Sequence, residues 1–136
     1  MEYSITATSL AKNDAAIAVK QSNIDFGTTE KTAGQLPNPA ELFLGSFAAC
    51  LLKNVERFSG LLHFEYDRAS VQVSATRLER PPRMDDIKYE LTIFSKDEKL
   101  QVELLKRNLE KFGTIYNTVQ QACSISGTVK KEENHV

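Results

Sequence analysis

An α+β domain in the order β-β-β-α-β-β-α-β is the fold class this sequence predicts, and three observations predict it. From Leu42 to Leu52 the only polar residue is Ser46, so one helix is apolar on nearly all sides and cannot lie on a domain surface. Segments on either side of it alternate apolar and polar residues with the period of strands. A later segment carries its apolar residues at helical spacing, with lysine, arginine and glutamate elsewhere.

Each element has its own local signal. Tyr3, Ile5 and Ala7 alternate with polar residues, Lys12-Asn13-Asp14 reads as a turn, and Ala15 to Lys20 and Ile24 to Phe26 read as two short strands of a meander. Asn38 is a good N-cap, Pro39 suits the first helical position, and Glu41 three residues after the cap completes a capping box. Val71, Val73 and Ala75 alternate with polar neighbours, Pro81-Pro82 breaks the run, and Ile87, Tyr89, Leu91 and Ile93 alternate again, which predicts a long antiparallel hairpin with one wet face. The spacing of Leu100, Leu104, Leu105, Leu109 and Phe112 predicts a helix from about Asp97 to Phe112, ended by Gly113. Cys123, Ile125 and Val129 then alternate with Ser124, Ser126 and Thr128 as a closing strand.

At 136 residues the chain is expected to be a single domain, 1–136, with about 130–136 fraying. It is short enough that a partner chain would help cover so apolar a helix, which points to an oligomer. The formal charge of −1 and the interspersed signs make nucleic acid and anionic membrane poor partners. The N-terminus lacks a signal pattern and no stretch matches a membrane span, so a cytoplasmic location is expected. His63 and His135 have no metal-ligand spacing with either cysteine, and the glycines form no phosphate-binding pattern, so no metal and no other cofactor is expected.

Cys50 lies midway along the apolar helix. Counted around that helix, Ser46, Cys50, Lys53, Asn54 and Arg57 share one face, so the thiol belongs to a semi-polar seam. Two readings stand side by side: an inert core thiol, as most buried cysteines are, or a nucleophile in a dry pocket. Cys123 reads first as an inward-facing strand residue.

The order of strands and helices, the segment NPAELFLGSFAACL and the segment GTIYNTV together resemble the OsmC/Ohr family of hydroperoxide-resistance proteins across nearly the whole chain. The resemblance implies an intertwined homodimer, with central helices sandwiched between outer sheets and the active sites at the subunit interface. It also implies thiol peroxidase chemistry. One cysteine thiolate attacks the peroxide to give a sulfenic acid, and a second cysteine condenses with it to a disulfide that a dithiol reductant reopens. Cys50 matches the first, peroxidatic position.

Three departures from the family pattern are visible. Catalytic members supply an arginine from the N-terminal strands, but the first arginine here is Arg57, with Lys12 in the turn where that arginine would be expected. The family's glutamate ten residues before the cysteine is replaced by Ala40, and Glu41 points about half a turn away from Cys50. For the resolving thiol two alignments are open: one makes Cys123 the resolving candidate, while the preferred one keeps Asn-Thr of GTIYNTV in place and puts Gly113 there.

The function expected is reduction of organic hydroperoxides by Cys50 as part of oxidative stress defence, in a pocket lined by Phe43, Phe47 and a partner chain, with an external thiol or dithiol as reductant. The alternative is a non-catalytic dimer of the same fold that binds a small apolar ligand or senses oxidants through Cys50.

Overall fold

The capping box forms as its residues dictate. In a computed structural model describing residues 1–133, the Asn38 amide donates to Glu41 Oε1 at 3.0 Å and the Glu41 amide to Asn38 Oδ1 at 2.8 Å. Two donors that a helix start would leave unpaired are thereby satisfied, and helix α1 runs from Pro39 to Leu61.

The chain divides into two compact units, Met1–Phe43 and Leu44–Val136. The first holds a three-stranded antiparallel meander, β1 (Thr6–Ser9), β2 (Ala15–Val19) and β3 (Ser22–Phe26). Asp14 ties the end of the meander together. Its Oδ1 accepts bonds from the Thr28 and Thr29 amides and from the Thr29 and Thr32 hydroxyls, and these hold its carboxyl below the usual range. Ala15 is the buried apolar residue of this unit, while Tyr3, Ile5, Leu10 and Ile24 are exposed. A sheet with so little core presents apolar surface outward.

The second unit is built on β4 (Arg68–Glu79) and β5 (Pro82–Phe94), the predicted hairpin, with β6 (Ile125–Glu132) added parallel to β5. Ile87, Tyr89, Leu91 and Ile93 are each at most 1% exposed, and Lys88 and Glu90 between them face out. Full burial of such side chains is worth about 1.5–3 kcal/mol each, which makes β5 the spine of the core. A register shift between Ser74 and Thr76 bends the hairpin, and Asp86 takes φ 53° there with its amide bonded to Asp85 Oδ1.

Helices α1, α2 (Val102–Phe112) and α3 (Thr114–Val119) supply the other side of the core. Phe47, Leu51, Val55 and Phe58 of α1 and Leu105 and Leu109 of α2 are buried at helical spacing. Leu52 and Phe112 remain partly exposed, at 36% and 45%.

Four expectations are corrected. The second helix begins at Val102 and not near Asp97, because Asp97 spends its side chain on the Glu65 and Lys99 amides and makes a turn. A short third helix, α3, was not anticipated in TIYNTV, whose β-branched residues favour strand. It is held by the Asn117 amide on the Gly113 carbonyl and by Asn117 Nδ2 on the Lys111 carbonyl. Cys123 lies two residues before β6 and not in it. Lys130 and Lys131 pair with Thr92 and Ile93, so β6 persists where fraying was expected; His135 lies outside the described residues.

Candidate functional site

Cys50 sits one turn past Phe47 on α1 and is half-buried, with a free thiol. The predicted seam is real: Ser46, Lys53 and Arg57 are exposed and Cys50 and Asn54 half-buried. Asn54 Nδ2 donates to the Cys50 carbonyl at 2.8 Å and stands 3.7 Å from Sγ. Arg57 turns its guanidinium over the Phe58 ring, 5.2 Å from the centroid.

Gly113 closes the other side of the thiol. A Cβ built there would stand 3.1 Å from Cys50 Sγ, 3.0 Å from the Leu109 carbonyl oxygen and 3.0 Å from Tyr116 Cβ. Its φ of −73° is open to any residue, so space and not backbone freedom favours glycine here. Of the two positions weighed for a resolving thiol, 113 is the one whose neighbours include the Cys50 sulfur.

Cys123 has other surroundings. Its Sγ donates to the Met84 carbonyl at 3.2 Å, and burial, reinforced by the Asp85 carboxylate and opposed by Arg83, pushes its thiol up. A thiol so held is short of thiolate and is a poor nucleophile.

Phe47 does not line an accessible pocket. It is 1% exposed, with its ring 6.2 Å from that of Tyr89 and 5.6 Å from that of Tyr116. Phe43 is half-buried. Glu41 is occupied by the capping box and Lys12 is an exposed turn residue at φ 68°. His63 is exposed at φ 58° and lines an open groove of about 910 Å³ with Ser59, Glu65, Lys96 and Lys99. Among the described residues no three of His, Cys, Asp and Glu gather into a metal-binding group, and no helix is long and apolar enough to cross a membrane.

The seam already put Asn54 on the face of Cys50, and the structure adds that its amide stands beside the sulfur. Sequence reasoning missed Tyr116 as a neighbour of the site, since its approach depends on the turn between α2 and α3.

Cys50 is thus a half-buried free thiol midway along α1. The sequence model for OsmC-like proteins matches residues 32–129, and the chain belongs to that family. The match crosses the boundary between the two units.

Solved structures share the fold. An OsmC-like protein from Mycoplasma pneumoniae superimposes with a TM-score of 0.85 at 18% identity, over 96% of this chain and 97% of that one. An organic hydroperoxide resistance protein from Elizabethkingia anophelis, with thiocyanate bound, gives 0.71 at 13% identity over 97% and 99%. One from Legionella pneumophila, also described as a predicted redox protein, gives 0.66 at 14% over 94% and 97%. No curated protein sequence matches the chain.

Proposed function

We propose that the protein is a thiol peroxidase that reduces organic hydroperoxides through Cys50. The observation that carries this reading is the placement of Cys50 in an OsmC-like chain, half-buried with an amide donor beside its sulfur. Neighbours of the same fold named as organic hydroperoxide resistance proteins support the substrate class.

The Cys50 thiolate attacks the terminal peroxide oxygen, the O–O bond breaks, and the alkoxide leaves as alcohol after taking a proton. Cys50 is then a sulfenic acid. With Gly113 beside the sulfur in place of a second thiol, an external thiol condenses with the sulfenic acid, releasing water and leaving a mixed disulfide. A second external thiol, or the other arm of a dithiol, returns Cys50 to the thiol and leaves as the oxidised disulfide.

The working unit on this reading is a homodimer. The exposed apolar residues of the first unit and Leu52, Leu61 and Phe112 of the second support a second copy as their cover. Light scattering at micromolar concentration checks this, with a monomer as the contrary result.

The test of the chemistry is consumption of cumene hydroperoxide with dithiothreitol as reductant. Wild type should consume it, and Cys50→Ser should not, while Cys123→Ser keeps most of the rate. Equal consumption by Cys50→Ser would overturn the assignment.

A second reading is favoured by the first arginine being Arg57 and by Ala40 on α1: a non-catalytic dimer that binds a small apolar molecule or senses oxidants. It predicts a Cys50 that forms sulfenic acid slowly and a thermal midpoint that rises with apolar ligands.

A further inference from the structure

Asn54 and Asn108 sit inside helices, half-buried, and bond backward in the same way. Asn54 Nδ2 donates to the Cys50 carbonyl at 2.8 Å, and Asn108 Nδ2 donates to the Leu104 carbonyl at 2.9 Å. In each case the acceptor lies four residues earlier, where a helix also delivers the asparagine's own backbone N–H. A carbonyl has two lone pairs and can take both donors.

What separates the two asparagines is the second amide hydrogen. Asn54 Nδ2 also stands 3.7 Å from Cys50 Sγ, within the longer reach of a bond to sulfur. An NH2 group carries two hydrogens, so the carbonyl takes one and the other remains for the sulfur. Asn108 faces a leucine at the matching position, whose side chain accepts nothing. The Cys50 carbonyl thus anchors the amide, and the lean of helical side chains toward the N-terminus brings residue 54 over residue 50.

A cysteine inside a helix has two common χ1 wells, because the third runs into the preceding turn. In the well it occupies, Sγ meets the Asn54 amide and lies 3.1 Å from a Cβ built on Gly113. A donor fixed in place that reaches the sulfur in one well favours that well over the other.

We propose that Asn54 is a positioning residue for Cys50: anchored on the Cys50 carbonyl, its amide holds the sulfur in one orientation. The effect on turnover rests on the peroxidase reading above, whereas the orientation of the sulfur does not.

The experiment reads the Cys50 rotamer by NMR of the full chain labelled with 13C-cysteine, from the couplings between Hα and the two Hβ. The proteins compared are wild type, Asn54→Leu, Asn54→Thr and Asn108→Leu. A threonine at 54 should keep the carbonyl bond, as Thr118 does with the Thr114 carbonyl at 2.9 Å, but its single hydroxyl hydrogen leaves none for the sulfur. Expected are unequal couplings, and so one rotamer, in wild type and Asn108→Leu, with averaged couplings in both Asn54 variants. Cys123, whose thiol donates to the Met84 carbonyl, should be unchanged throughout. A merely structural role for Asn54 would be rescued by threonine. A single rotamer in Asn54→Thr, an averaged one in wild type, or averaging in Asn108→Leu as well would therefore overturn the proposal. Asn54→Thr carries the test alone if the leucine variant does not fold.

Cumene hydroperoxide consumption on the same proteins should fall about fivefold in both Asn54 variants, the net size of one hydrogen bond, and stay within about twofold in Asn108→Leu. Full consumption by a variant with averaged couplings would overturn the link between orientation and turnover. No consumption in wild type, with the rotamer pattern intact, removes the peroxidase reading and leaves the positioning role standing.

Discussion

Cys50 and Gly113 meet so closely that the sulfur lies 3.1 Å from where a side chain on Gly113 would begin. Across a disulfide, the Cβ of one cysteine and the sulfur of the other are also about 3 Å apart, given an S–S bond of about 2.05 Å. The site thus has the spacing of a cross-link with one of its two thiols missing.

Gly113→Cys in a Cys123→Ser background should therefore form an internal disulfide with Cys50 on mild oxidation. Titration of the unfolded protein would find both thiols before oxidation and neither after it. Two persistent thiols would mean that the Leu109 carbonyl and Tyr116 leave no room for the new sulfur.

Gly127 answers to Tyr89 in the same way. The two are register partners across β5 and β6, and a Cβ on Gly127 would run into the Tyr89 ring. Gly127→Ala should destabilise the fold by about 1–3 kcal/mol in urea unfolding. Combined with Tyr89→Val it should cost less than the sum of the two changes, and strict additivity would show that the ring is not what the methyl meets.

Removing the helix cap is a local test. Asn38→Ala should lower stability by about 1 kcal/mol, and Glu41→Gln by less, because the glutamine amide oxygen can still accept from the Asn38 amide. Equal losses would mean that the Glu41 charge near the helix start matters more than the bond.

The Cys123 thiol should alkylate with a midpoint above its ordinary value of 9.0, because burial and Asp85 disfavour its thiolate. The neutral form is the one the fold prefers. Its contribution to stability is whole below the unfolded thiol's pKa and is lost as pH rises through the higher folded one. Asp85→Asn removes the opposing charge while an amide oxygen still accepts from the Ser124 amide, so the midpoint should fall. A midpoint at or below 9.0 in wild type would contradict this reading of its surroundings.

What could be read from sequence was what depends on near neighbours along the chain. The Asn38–Glu41 box, the alternation through Ile87 to Ile93 and the seam holding Cys50 each follow from a period or a spacing of three or four residues. Gly113 against Cys50, Gly127 beneath Tyr89 and the bond from the Tyr89 hydroxyl to Glu110 depend on elements far apart in the chain, and no local period records them. Asp97 shows how local logic can also mislead: helical spacing placed it in a helix, but its side chain competed for backbone amides and made a turn.

The parallel pairing of β6 with β5 has a consequence for how the chain is made. β5 is complete at Phe94, yet its second neighbour begins only at Ile125, after both α2 and α3. On the ribosome, a hairpin with Ile87, Tyr89, Leu91 and Ile93 along one face must wait with an open edge while Ser95 to Ser124 is synthesised. Closure then joins segments distant in sequence, which is the slow kind of contact to form. Nascent chains stalled before β6 are where this protein is most exposed to aggregation and most in need of a chaperone.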